Sequence, residues 1–143
     1  MTTNYQDIRS AILGRIATNI ALLDAAWSAT ANVAWPGTHF PAGGKGTFMA
    51  VDVNMKGARQ AAIGSPTRRI DGDLDLTFFA VQGQSDASLA KHMDAAQDLF
   101  PLGLGLTAGA ATLRFLAPIP LPPHENDNEF VLGVLKCPFF TYA

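Results

Sequence analysis

Charge is scarce in this chain. Only 15% of its 143 residues are Asp, Glu, Lys or Arg, against about a quarter in an ordinary soluble domain. A chain so poorly charged either builds a generous core or carries apolar and small-residue surface that a partner covers. The formal net charge of −2 removes the electrostatic case for gripping nucleic acid tightly. Cysteine is nearly absent. Cys137 stands alone, which excludes an intrachain disulfide framework, and its setting, Val134-Leu135-Lys136-Cys137-Pro138-Phe139-Phe140, suits a buried, inert thiol rather than a nucleophile. No apolar run reaches the ~20 residues that span a bilayer. The opening Met1-Thr2-Thr3-Asn4-Tyr5-Gln6-Asp7 lacks the basic region and apolar core of a signal peptide. A soluble protein, made inside the cell, is expected.

What is present is most informative between Arg69 and Phe100. Arg69 to Val81 alternates, with Ile70, Leu74, Leu76 and Phe78 on one side and Asp71, Asp73, Asp75 and Thr77 on the other. After Gln82-Gly83-Gln84-Ser85 the period changes to 3.6, and Leu89, Met93, Ala96 and Phe100 line one face, with Leu99 beside them, up to a stop at Pro101. That is a strand packed under an amphipathic helix, capped by Ser85 or Asp86.

The rest of the chain divides around this unit. Thr3 and Gln6 read as a capping box, and Ile8, Ile12, Ile16 and Ile20 recur at i+4 with Leu13 and Leu23, a helix ending between Asp24 and Trp27. Arg9, Arg15 and Asn19 fall on its opposite face. Asn32 to Trp35 is a short strand. Pro36 to Thr47, with two prolines and four glycines, is a long loop of the kind that is functional or disordered. Phe48 to Met55 alternates as a strand. Lys56 to Thr67 is expected to be irregular, with at most an edge strand at Arg59 to Ile63. Thr112 to Leu116 is a strand, Pro118 to Asn128 a proline-rich loop, and Glu129 to Tyr142 a long strand apolar on both faces, as near the centre of a sheet. Pro138 conflicts with that placement. About 143 residues make one domain that can bury roughly 70% of its unfolded surface. The expected fold is α+β, a mostly antiparallel sheet with two helices packed on one face and long Gly/Pro-rich arms.

Candidate chemistry is thin. Asp71-x-Asp73-x-Asp75 opens like a calcium loop, but such a loop needs glycine after the third acid and glutamate at position twelve. Leu76 and Gln82 hold those places, so no metal site is expected; the carboxylates should form a solvated acidic stripe facing a partner or a channel. His39, His92 and His124 are scattered, without ligand spacing, and His92 is expected at the surface or boundary. Ser65 and Ser85 have no nearby base. Gly43-Gly44-Lys45-Gly46-Thr47 lacks the earlier glycine and following helix of a phosphate loop. Arg59, Arg68 and Arg69 form a modest basic cluster suited to a complementary subunit contact.

The order of these segments resembles a known family. The amphipathic opening helix leads to Ala34-Trp35-Pro36-Gly37-Thr38-His39-Phe40-Pro41, then across a glycine-rich loop to Phe48-Met49-Ala50-Val51. An arm with Gly57 and Arg59 follows, then Ile70-Asp71-Gly72-Asp73-Leu74-Asp75-Leu76-Thr77, a helix closing Ala95-Ala96-Gln97-Asp98-Leu99-Phe100-Pro101, and a final strand ending Phe139-Phe140-Thr141-Tyr142. Over nearly its whole length the chain resembles the tail terminator, or tail completion, proteins of long-tailed bacteriophages. The resemblance implies a hexameric ring that caps the finished tail tube, stops its growth, joins it to the head connector or neck protein and lets DNA pass unbound. It implies a virion location at the head-proximal end of the tail, assembly in the host cytoplasm, no catalysis and no cofactor. The expected subunit or tube contacts are His39, Phe40, Lys45, Arg59, Arg68, Arg69, Asp71, Asp73 and Asp75. The aspartates either meet a neighbour's arginines, the preferred reading, or line the DNA channel. Another neck or stopper subunit, or a small enzyme or ligand-binding domain built on His39, Arg59 and Asp71, are the alternatives.

Overall fold

Alternating apolar residues over three long segments produce three long paired strands, and the 3.6-period segments cover them as helices. The computed structural model describes residues 5–38, 40, 46–60, 63, 64, 67–81, 87–121, 124, 125 and 130–142. The expected capping residues Thr3, Ser85 and Asp86, half of the Pro36 to Thr47 loop, and parts of the Lys56 to Thr67 and Pro118 to Asn128 segments lie outside these residues. Helix α1 spans Tyr5–Thr18 and α2 Ile20–Leu23. The isoleucine stripe does what its spacing requires: Ile8, Ile12 and Ile16 are completely buried. Asn19 separates the two helices, and its side-chain amide donates to the Arg15 carbonyl at 2.8 Å, competing with the helical ladder. Arg15 does not simply face solvent: it donates to the Leu99 carbonyl at 3.0 Å and tethers α1 to the end of α3 (Ala87–Leu99).

The strands are β1 (Val33–Ala34), β2 (Thr47–Gln60), β3 (Arg68–Val81), β4 (Gly105–Ala108), β5 (Ala111–Phe115), β6 (Ile119–Pro120), β7 (His124–Glu125) and β8 (Phe130–Tyr142). They form one curled mixed sheet ordered β1-β2-β3-β8-β5-β4, with β6 and β7 also pairing β8. Among the described residues only β1 runs parallel to its neighbour, β2; the other pairs are antiparallel. Register places Met49, Val51 and Val53 of β2, Leu74, Leu76 and Phe78 of β3, and Leu135, Cys137 and Phe139 of β8 on one face. That inner face forms a single core with the α1 isoleucines and with Leu89, Met93, Ala96, Leu99 and Phe100 of α3 and its exit. The fold is α+β.

Four features depart from the expectations. Lys56 to Gln60 is strand, not irregular arm: β2 continues to Gln60 opposite Arg68, across a bulge between Met55 and Gly57. The bulge interrupts the alternation that marks a strand in sequence. The segment after α3 forms a β4–β5 hairpin, and the proline-rich loop contributes β6 and β7, each of two residues, too short for any periodicity to register. Pro138 sits within central β8 without conflict. Its carbonyl accepts from Leu116 N–H at 2.9 Å, so its nitrogen faces the same side, where β5 has ended and β6 has not begun; the missing donor falls in that gap. Cys137 is fully buried, and burial, with smaller effects of Asp75 and Asp73, pushes its thiol up to about 12.

Candidate interaction face

The face of β2, β3 and β8 turned away from the helices carries five of the nine expected contact residues, Arg59, Arg69, Asp71, Asp73 and Asp75. Pairing defines its rows. Phe48, Phe79 and Leu132 make one; then come Ala50, Thr77 and Val134; Asp52, Asp75 and Lys136; Asn54, Asp73 and Pro138; Gly57, Asp71 and Phe140; and Arg59, Arg69 and Tyr142. Beyond β8, Arg114 of β5 extends the Phe140 row. The bulge decides the last two rows. Before it even-numbered residues of β2 face outward, and after it odd-numbered ones do, so one extra residue turns Arg59 outward beside Arg69.

The aspartates do share this face, but they are not a solvated stripe. Asp73 is only 3% exposed. Lys56 covers it at 3.1 Å and Lys136 approaches at 3.8 Å, both through Oδ2, while its buried Oδ1 lacks a hydrogen-bond partner. Its neighbours on both flanking strands and two long lysine stems close over it, which alternation alone could not foretell. Asp71 accepts from Arg69 Nε at 3.0 Å within the same chain, and this bond raises the Arg69 guanidinium further above its ordinary value. Asp75 accepts from Asn54 at 2.9 Å. Burial pushes its carboxyl up; Lys136 and Asn54 oppose the shift, whereas Asp73 and Asp52 add to it.

Arg68 and Arg69 part company, because successive strand residues point to opposite faces. Arg68 is exposed beside the inner face, and Arg59 is exposed on the outer one. Phe40 stacks on Phe48 at 4.9 Å, Phe48 on Phe79 at 4.5 Å, and Phe130 meets both rings edge-on. This aromatic ladder buries the far end of the outer face. His39 and Lys45 lie outside the described residues, as do the side chain of His124 and Ser65 and Ser85.

Two hollows open at the Arg59 end and meet at Leu116. One, about 460 Å³, is lined by Lys56, Arg59, Asp71 and Asp73. The other, about 730 Å³, is more apolar and is lined by Leu102, Leu116, Phe140 and Tyr142 with Arg114. The Arg69 guanidinium lies 4.3 Å over the Phe140 ring. Sequence reading missed Lys56, Lys136, Arg114, Phe140 and Tyr142 as members of this face, since only strand register brings them to the aspartates. It also misplaced His92, which is buried. His92 packs 4.4 Å from Trp27 and 5.9 Å from Phe78, and its Nε2 lies 3.1 Å from Asp24 Oδ2. Its position beside Met93 on α3 turns it toward α2, where the imidazole serves as packing.

A model of a family described as phage tail terminator protein matches residues 7–134. No curated protein matches the chain. One similar solved structure, which carries no functional name, has a TM-score of 0.75 at 19% identity, covering 98% of this chain and 96% of its own. Another, from the virion of a native gene transfer agent particle, has a TM-score of 0.64 at 13% identity and covers 98% of this chain and 100% of its own. At these identities the likeness is one of fold.

Proposed function

Because the chain belongs to the phage tail terminator family, we propose that it forms a closed ring at the head-proximal end of the tail, capping the tube, stopping its growth and joining it to the head connector. It is a structural tail protein of the virion and not an enzyme, and it associates with other tail or head proteins. The family match over residues 7–134 carries this reading, and the low charge content supports it, because a poorly charged surface suits coverage by partners. The ring is taken to be a homohexamer of one domain per copy, with DNA passing through without specific binding.

The subunit or tube contacts fall on Arg59, Arg68, Arg69 and the loop bearing His39, Phe40 and Lys45. Asp71, Asp73 and Asp75 belong to the same proposal as the groups that hold the basic side chains in place. Electron microscopy of the purified protein, alone and with tail tubes, tests the reading. Rings seated on tube ends are expected, together with overlong or headless tails when the gene is deleted. Normal-length tails joined to heads in the deletion strain would overturn it, and rings that bind the connector but never the tube would assign the chain to the neck instead.

A further inference from the structure

The outer face holds two arginines without an ion pair among the described residues. Lys56, Arg69 and Lys136 are engaged by the strand aspartates. Arg59, on the smaller hollow, and Arg114, on the larger, are not. Arg59 also stands directly across from Arg69 in register, and Asp71 is already engaged by Arg69, so Arg59 is the one left to meet a further carboxylate. Between the two arginines lie the Arg69–Asp71 pair, with Arg69 over the Phe140 ring, and, on the Arg114 side, an apolar trough of Leu116, Phe140 and Tyr142.

The helix side of the molecule has the complementary character. Asp94 and Asp98 lie one turn apart on the exposed side of α3, also without an ion pair among the described residues. Leu22 projects from α2, which packs on α3, and is 67% exposed. A trough flanked by arginines thus faces one way, and an exposed leucine and two exposed carboxylates on the packed α2–α3 pair face the other. The helices cover the inner face of the sheet, so the two surfaces look away from each other and cannot meet within one molecule.

We propose that the trough between Arg59 and Arg114 receives the α2–α3 side of a second copy, with Leu22 entering the apolar floor and Asp94 and Asp98 meeting the arginines. Two different surfaces make such a contact, so it repeats head to tail, and closure of the repeat gives a ring. The inference rests on the ring reading and supplies its subunit contact. Charge complementarity selects the partner and the orientation, while the buried leucine adds affinity.

Paired cysteines test it. Leu22→Cys and Leu116→Cys are made as separate full-length variants; Cys137 is completely buried and does not compete. Under mild oxidation the mixture should give a disulfide-linked dimer, and neither variant alone should. Placing both substitutions in one chain should give a covalent ladder. Asp94→Lys with Asp98→Lys in the Leu22→Cys chain should reduce mixed dimer at least about tenfold, the order expected for losing close charge pairs. Arg59→Asp with Arg114→Asp in the Leu116→Cys chain should restore part of it. A closed oligomer in sedimentation with no mixed disulfide overturns this contact and leaves the ring standing. Leu22→Cys linking to itself overturns it too, because that requires a two-fold contact. Duplex-DNA binding lost on Arg59→Glu and Arg114→Glu with rings intact assigns the face to nucleic acid and also overturns it. Wild-type protein that stays monomeric both free and with tail tubes removes the ring reading itself.

Discussion

Gly72 has no room for a side chain. A Cβ there would lie 2.6 Å from the Phe139 ring and 2.8 Å from the Asn54 carbonyl oxygen, so Gly72→Ala should destabilise the fold by about 1–3 kcal/mol in chemical denaturation. Asp73 makes an asymmetric prediction. Removing the carboxylate frees two lysines that can turn to water, so Asp73→Asn should cost about 1–2 kcal/mol. Replacing Lys56 and Lys136 together by alanine strands a buried charge and should cost more, about 3–5 kcal/mol. Asp75 sets a pH dependence. Its folded carboxyl titrates above the ordinary 3.8, so over the window above that value the folded state holds more protons than the unfolded one. Stability contributed by this group therefore falls as pH rises through the window. Relative to wild type, Asp75→Asn should become more favourable from acid to neutral pH, measured by denaturation at each pH. None of these environments was legible in the sequence. Alternation placed the three aspartates on one face correctly, but burial of Asp73 depends on lysines brought by two other strands.

The bulge in β2 is the element on which the outer face depends. Deleting Lys56 removes the extra residue, so Gly57 follows Met55 in plain alternation and Arg59 keeps its outward place opposite Arg69, while Asp73 loses the lysine that covers it. The variant should fold less stably but still form the proposed ring, read by denaturation and sedimentation. A folded variant that stays monomeric would show that the contact needs Lys56 or the bulge itself, and not only an outward Arg59. Strands with long unbroken patterns were legible: β3 was expected from Arg69 to Val81 and found from Arg68 to Val81. So were the isoleucine stripe of α1 and the buried face of α3, because each pattern is set by the element's own residues. β6, β7 and the end of β2 were not, because the first two span only two residues each and the bulge breaks the alternation of the third.

At the scale of the molecule, a contact made by arginines and aspartates at an exposed rim should weaken with salt. The concentration for half-assembly should rise steadily with ionic strength in sedimentation, and a flat response would point to an apolar contact without the charged pairs. The family was legible from segment order, whereas the two-sided distribution of charge needed strand register to appear. The central position of β8 has a consequence for timing. β3 is flanked on one side by β2, and its other edge closes only when β8 pairs with it along Arg69 to Val81. Residues 130–142 follow β3 by some fifty positions, so this pairing is a late, high-contact-order step. Until the ribosome has released that segment, Phe140 and Tyr142 are missing from the trough and Lys136 is missing from above Asp73. A nascent chain therefore has no trough to offer, and the proposed subunit contact can form only after translation has passed the last long strand.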